Sequence, residues 1–325
     1  MTERTRVVVM GAEESDPPPG IRMIEEAVDL AFATTVEDLA RKLESAEVLF
    51  AWRPDREVLQ AAWPRAARLC WIQAAWAGVD GLLFPELVES NVVLTNARGV
   101  FDEAMAEYAA GLMLLFAKGL IGVVDRQRLR EWRRRDTELL AGKHLLIVGV
   151  GGIGRAIGRL AAELGMRVRG VGRTTRPDDG VFDVVLGADE LLGALPWADY
   201  VVDALPATDA TRHLFGANAF EAMEAWARFI NVGRGSTVDE AALVAALRAG
   251  EIGAAALDVF EEEPLPEDSP LWDMSNVIVS PHVSGDFGGW REAVVELFVE
   301  NLERFLTGAP LRNVVDKRLG YVPGS

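Results

Sequence analysis

Three short stretches late in the chain each carry a side chain that could act on a carbonyl group. They read Asn231-Val232-Gly233-Arg234-Gly235, Asp258-Val259-Phe260-Glu261-Glu262-Glu263-Pro264 and Ser280-Pro281-His282-Val283-Ser284-Gly285. A carbonyl that accepts hydride needs a proton for its oxygen and a cation to hold the charge that gathers there. Imidazole supplies the proton near neutral pH, and guanidinium supplies the cation. An acid beside the histidine favours the imidazolium and can raise its pKa by roughly 1–3 units. Taken singly, each group has a plainer reading: His282 as a turn cap, Arg234 as a surface ion pair, and Glu263 as one acid among several. The two other histidines, His144 and His213, open a strand and sit in a polar connection, and are weaker candidates. Cys70 is the sole cysteine, so neither a disulfide framework nor a cysteine metal site is expected. No metal is expected.

A second constellation lies upstream. The apolar run Leu145-Leu146-Ile147-Val148 leads into Gly149-Val150-Gly151-Gly152-Ile153-Gly154, then into an Ala/Leu-rich helical pattern and a second strand pattern, Arg167 to Val171. Strand, glycine turn, helix and strand within about 30 residues is the setting in which G-x-G-x-x-G binds a dinucleotide. Backbone without side chains lets a pyrophosphate approach, and the helix N-terminus meets its charge. NAD sites usually place an acid at the end of the second strand, on the adenosine ribose. Here that position reads Val171-Gly172-Arg173-Thr174-Thr175-Arg176, without an acid. Gly172 leaves room for a ribose 2′-phosphate, while Arg173, Thr174 and Arg176 offer donors to it. The stretch predicts NADP(H) in preference to NAD(H).

The elements that must position these groups follow from the hydrophobic pattern. Short apolar runs at Val7 to Met10, Val48 to Trp52, Leu69 to Ile72 and Val92 to Thr95 alternate with helical patterns, one opened by Thr35-x-x-Asp38. Cys70, inside such a run, is expected to be a buried small hydrophobe. Two helical stretches without strands follow, Phe101 to Ala117 and Ile121 to Arg135. The first is apolar on nearly all sides, which implies burial between domains or subunits. After the glycine loop, strands recur at Tyr200 to Val202, Phe229 to Asn231, Ala254 to Leu257 and Val277 to Val279. Between them, Thr237-x-x-Glu240 reads as a capping box and Gly250 as a C-cap. A last helix runs from Trp290 to Leu306. The fold class is α/β, with two doubly wound parallel-sheet domains: residues 1–98 plus 286–325, and residues 99–285.

Composition bounds the rest. The 325 residues carry a formal charge of −17, which argues against sequence-independent nucleic-acid binding. The apolar stretch Tyr108 to Val124 is interrupted by Lys118 and is short for a membrane span, and the N-terminus has no signal-peptide pattern. A cytoplasmic protein is expected.

Along essentially its whole length the chain resembles the D-isomer-specific 2-hydroxyacid dehydrogenase family. The similar stretches are WIQAAWAGVDGLL from Trp71, NARGVFDEAMAEYAAGLML from Asn96, the GVGGIG loop, NVGRGSTVDEAALVAAL from Asn231, ALDVFEEEPLPEDSPLW from Ala256, and SPHVSG. The resemblance implies a flavodoxin-like substrate domain beside a Rossmann dinucleotide domain. It implies that Arg234 binds the substrate carboxylate and carbonyl, and that Glu263, just before the proline, partners His282 as the acid/base. It places backbone N–H groups of Ala77 and Gly78 on the substrate carboxylate, and Leu205, Pro206, Val232 and Gly233 against the cofactor. Asp258 would lie near the nicotinamide amide. Trp52, Arg53 and Trp76 would read the substrate side chain, and the two indoles favour a small one; a tryptophan buried in the domain core is the other reading.

The missing acid at Gly172 is similar to the family's NADP-using glyoxylate/hydroxypyruvate reductases. The implied activity is reduction of a small 2-oxo acid to the D-2-hydroxy acid. Alternatives are a broader reductase of branched or aromatic 2-oxo acids and, less favoured, a nucleotide-sensing interaction protein of the same fold. A homodimer through the nucleotide domain is implied as well.

Overall fold

The computed structural model describes residues 4–177 and 179–323 and divides into two units, residues 1–101 with 287–325 and residues 102–286. In the first unit, the strands β1 (Arg6–Met10), β2 (Asp29–Ala33), β3 (Val48–Ala51), β4 (Trp71–Ala74) and β5 (Val93–Thr95) alternate with helices, among them α1 (Val36–Leu43), α2 (Arg56–Ala62) and α3 (Pro85–Glu89). They pair in parallel in the order β2-β1-β3-β4-β5. β3 and β4 are buried along their whole length, as strands covered on both faces must be. The edge strand β2 (Asp-Leu-Ala-Phe-Ala) has no β-branched residue, so the apolar pattern does not reveal it.

The C-terminal helix, Trp290–Thr307, belongs to this unit. Its Phe298 stacks on Phe50 with ring centroids 4.3 Å apart and on Trp71 at 5.5 Å. Below the rings, Gln73 Oε1 accepts from Thr95 Oγ1 at 2.8 Å and from Asn301 Nδ2 at 3.0 Å, so the polar atoms buried there are paired.

Two local expectations are corrected, one in each unit. Cys70 is exposed: β4 begins one residue later, and the thiol at its entrance turns outward to the carbonyl of Arg68. Of the two strand-free helices, α4 (Asp102–Lys118) forms as expected, whereas α5 (Leu120–Leu129) ends six residues early. Arg130 closes it in the left-handed region, at φ 61°, and Arg133 to Arg135 continue as exposed non-helical chain. A continued helix would align Arg130 with Arg126, Arg133 and Arg134 at i,i+3 and i,i+4 spacing, which is repulsive.

In the second unit, α4 packs on α6 (Gly152–Glu163), the helix of the glycine loop. The strands are β6 (His144–Val148), β7 (Arg167–Val171), β8 (Arg176–Pro177), β9 (Val184–Leu186), β10 (Tyr200–Asp203), β11 (Arg228–Asn231), β12 (Ala254–Leu257) and β13 (Val277–Val279). Their order is β13-β12-β11-β10-β6-β7-β9-β8, parallel except for β8. The chain reverses its winding between β6 and β10, and open α/β sheets bind ligands at such a switch point.

The capping box is also corrected. Asp239 caps the helix Glu240–Ala249 by accepting the Ala242 N–H at 2.9 Å, whereas Thr237 lies fully buried in the preceding turn. Among the described residues no single helix is long and apolar enough to cross a membrane.

Candidate active site

At the switch point the glycine loop and the loop after β10 touch. Gly149 has φ +105°, and a Cβ on it would lie 2.6 Å from the Ala204 carbonyl oxygen. A Cβ on Gly154 would lie 1.9 Å from the Gly149 carbonyl, so both glycines are required by close backbone approach. Gly151 caps α6 without a side-chain bond, and the positive end of that helix suits an anion. Gly152 leaves room for the carboxylate of Asp102 from α4, and Ile153 is the second residue of the helix. This cradle fits a dinucleotide pyrophosphate.

The end of β7 has a packing logic the sequence did not reveal. A Cβ on Gly172 would meet Val150 Cγ2 at 2.8 Å and Val185 Cγ1 at 3.3 Å, so the glycine accommodates the loop valine. Arg173 and Thr174 are exposed. Arg176 is turned toward Asp179, with Nε 3.5 Å from Oδ2, and Asp179 is shared with Arg155 at 2.5 Å. Thr175 bonds to Glu190 and accepts from the Gly187 N–H at 3.0 Å.

The three polar strand-end stretches meet as well. Gly235 makes this possible: a Cβ there would lie 1.8 Å from the Phe260 carbonyl carbon, so the turn after β11 lies directly on the turn after β12. Asn231, buried at the end of β11, accepts the Gly233 N–H at 2.9 Å and donates to the Arg234 carbonyl at 3.1 Å, which shapes the arginine turn. Val232 is buried in that turn, while Leu205 and Pro206 lie half-buried after β10.

His282 Nδ1 lies 2.8 Å from Glu263 Oε2, and Glu263 Oε1 accepts the Phe260 N–H at 3.0 Å. Both side chains retain substantial exposure. The bond from Glu263 raises the pKa of His282, outweighing partial burial and the repulsion of Arg234. Burial pushes Glu263 up, but the bonds from His282 and the Phe260 N–H, with the charges of His282 and Arg234, hold it below its ordinary value. Arg234 is therefore close enough to influence both members of the pair.

His282 adopts φ +53°, an uncommon conformation for a residue with a side chain, and Asp258 holds it there. Fully buried, Asp258 accepts at Oδ1 from Ser280 Oγ at 2.7 Å and the Val283 N–H at 3.0 Å, and at Oδ2 from the Ser284 N–H at 2.8 Å. Its own carbonyl accepts the His282 N–H at 2.8 Å. The carboxylate expected beside a nicotinamide amide thus grips the histidine loop on both sides. Tyr108 of α4 lies beside Ser280, and burial raises its phenol pKa. Sequence reasoning missed Tyr108, because nothing in a helical pattern indicates which face meets a distant loop. His144 stacks on Trp197, and His213 pairs with Glu261, so both are engaged elsewhere.

In the first unit, Asn96 Nδ2 donates to the Ala77 carbonyl at 2.6 Å and the Ala97 N–H to the Trp76 carbonyl at 3.0 Å, which fixes the turn carrying Ala77 and Gly78. Trp52 and Trp76 come together through a residue that sequence reasoning had only as a helix start. Trp290 lies 5.9 Å from the first ring and 5.0 Å from the second. Phe101 stacks on Trp76 at 6.0 Å, and Arg53 is exposed at the end of β3.

Residues 110–284 match the model of the D-isomer specific 2-hydroxyacid dehydrogenase, NAD binding domain. The chain is 36% identical over 293 residues to glyoxylate/hydroxypyruvate reductase B of Citrobacter koseri, covering 88% of this chain and 89% of that one. It is 32% identical over 300 residues to D-3-phosphoglycerate dehydrogenase of Methanocaldococcus jannaschii; the match takes in 91% of this chain but 57% of that longer protein. Among solved structures, a D-isomer specific 2-hydroxyacid dehydrogenase from Xanthobacter autotrophicus Py2, in complex with NADPH and MES, superposes with a TM-score of 0.82 at 30% identity, covering 98% of this chain and 100% of that one. The family model spans more than half of the chain and the Citrobacter koseri enzyme matches at 36% identity over most of it, so the chain is an oxidoreductase of the D-isomer-specific 2-hydroxyacid dehydrogenase family.

Proposed function

We propose that this protein reduces a small 2-oxo acid, of glyoxylate or hydroxypyruvate type, to the D-2-hydroxy acid, with NADPH in preference to NADH. The observation that carries the reading is the His282–Glu263 pair at 2.8 Å, within the electrostatic reach of Arg234, at the strand ends of a domain whose glycine loop opens a helix. Bound NADPH would supply the hydride. His282, kept protonated by Glu263, donates its Nε2 proton to the carbonyl oxygen, while Arg234 binds the substrate carboxylate and polarises the carbonyl. Gly149, Gly151, Gly152, Ile153 and Gly154 would hold the pyrophosphate, with Leu205, Pro206, Val232 and Gly233 lining the cofactor.

Support for NADPH comes from Gly172 in place of an acid and from exposed Arg173 and Thr174 beside it. Arg176 is the weaker phosphate donor, since its Nε faces Asp179. The small-substrate reading draws on the half-buried indole of Trp76, since Trp52 and Trp290 are buried in the core behind it, and the Ala77–Gly78 turn offers backbone donors suited to a carboxylate. We also propose a homodimer through the second unit, because α5 and its sequel expose Leu120, Ile121, Val123, Val124, Leu129 and Trp132.

The test is a panel of 2-oxo acids assayed with NADPH and with NADH. Fastest loss of NADPH absorbance with glyoxylate or hydroxypyruvate is expected. Faster turnover of branched or aromatic 2-oxo acids would overturn the substrate assignment, and NADPH binding without any turnover would favour a nucleotide-sensing role.

A further inference from the structure

Asp203, the last residue of β10, is fully buried. Its Oδ1 accepts the Leu205 N–H at 2.9 Å, and its Oδ2 meets the hydroxyl of Thr237. The same hydroxyl lies 2.6 Å from the carbonyl oxygen of Arg234. A threonine hydroxyl has one hydrogen to give. Beside an ionised Asp203 it would stand between two oxygens that can only accept, and one contact would set lone pair against lone pair. A proton on Asp203 Oδ2 removes the conflict, because the acid then donates to Thr237 and Thr237 donates to Arg234.

We propose that Asp203 is a positioning residue that works as the neutral acid, heading a chain of two O–H donors that fixes the peptide of Arg234 and so aims its guanidinium. The proposal rests on the reading of Arg234 as the substrate-binding arginine. The Arg234 carbonyl also accepts from Asn231 Nδ2 at 3.1 Å and the Thr237 N–H at 3.2 Å, so the chain from Asp203 completes a three-donor grip.

The surroundings favour the neutral form. At the register of Asp203, β6 presents Val148 and β11 presents Asn231, neither of which titrates. His144 and Arg228 occupy the opposite ends of those strands, next to Tyr200. On the turn side the charged groups are Arg234 itself, Asp239, which caps its own helix, and His213, whose ring pairs with Glu261. Burial is the dominant influence and lifts the Asp203 carboxyl to about 7, against the opposing bonds from Thr237 and the Leu205 N–H.

Infrared difference spectra of the wild type against Asp203→Asn test the protonation without any need for turnover. A protonated-carboxyl stretching band is expected in the wild type on the acid side of neutrality, fading as pH rises through about 7. Its absence would overturn the proposal. The positioning role is read from kinetics. Asp203→Asn keeps a neutral donor for Thr237 and an acceptor for Leu205, so it should hold a low KM for the 2-oxo acid on both sides of neutrality. Thr237→Val and Asp203→Leu should raise that KM about tenfold while leaving NADPH affinity, read by fluorescence, in place. An Asn variant as impaired as Thr237→Val would overturn the role. The band without turnover of any 2-oxo acid would sustain the neutral acid and remove instead the reading of the activity.

Discussion

Glu263 Oε2 sits 2.8 Å from His282 Nδ1 while Glu263 Oε1 is held by the Phe260 N–H, so the carboxylate cannot turn away from the ring. This directs the Nδ1 proton at Glu263 and leaves Nε2 as the exchanging nitrogen. Because the pKa of His282 is raised, the protonated form persists above the ordinary histidine range and is lost as pH climbs through the raised value. The rate of 2-oxo acid reduction should fall along that limb. In Glu263→Gln the amide that keeps the Phe260 bond presents N–H to Nδ1, which favours neutral imidazole, so the limb should move to lower pH. Profiles of kcat/KM against pH check this, and coincident profiles would remove Glu263 from the pair.

His282→Ala removes the proton donor and nothing from the glycine loop. Turnover should drop by about 10²–10⁴ with NADPH binding nearly intact, as measured by fluorescence titration beside steady-state kinetics.

Asp258→Ala should loosen the loop around His282. Three donors, from Ser280, Val283 and Ser284, lose a buried carboxylate, at a cost on the order of 3 kcal/mol in unfolding free energy. Denaturant melts would show the loss, and hydrogen exchange should show faster opening at Val283 and Ser284. Unaltered protection there would mean that the loop is held by other contacts.

Cofactor preference is best tested at Arg173. Introducing an acid at Gly172 would drive its Cβ to 2.8 Å from Val150 in the glycine loop, confounding charge with packing. Arg173→Ala avoids this and should lower the NADPH over NADH ratio of kcat/KM by roughly tenfold, through the Michaelis constant for cofactor. Equal use of both cofactors by the wild type would make Arg173 an ordinary surface residue.

Association should depend on the exposed apolar surface of α5 and its sequel, where Trp132 is 99% exposed. Sedimentation at micromolar concentration should give twice the mass of a 35.4 kDa chain, and Val123→Glu with Trp132→Glu should halve it. A stable wild-type monomer would end the dimer proposal.

Much of this molecule is local and therefore legible in the chain. Period-two and continuous apolar runs mark β6, β7, β12 and β13 to within a residue, because strand burial is written in neighbouring residues. Thr35 caps α1 (Val36–Leu43) through the Asp38 N–H, and Gly250 ends its helix at φ 73°, both short-range chemistry. The glycine loop, His282 and Arg234 are likewise recognisable, since each sits in a turn whose residue types are demanded by a close approach or a charge, whereas Glu263 is singled out from the neighbouring acids only by the family resemblance.

What the sequence leaves open is which distant residues meet. Thr237 reads as a capping residue from its neighbours, yet sheet order lays its hydroxyl against Asp203, 34 positions away. Asp258 is expected beside the nicotinamide amide, and only the adjacency of β12 and β13 turns it into the clamp on His282. Trp290 looks like the start of a helix until the C-terminal helix brings it to Trp52 and Trp76. Side-chain chemistry and local turns are properties of a few consecutive residues. Partnership across a sheet depends on the order in which strands pair, and that order is decided by the burial of the whole domain.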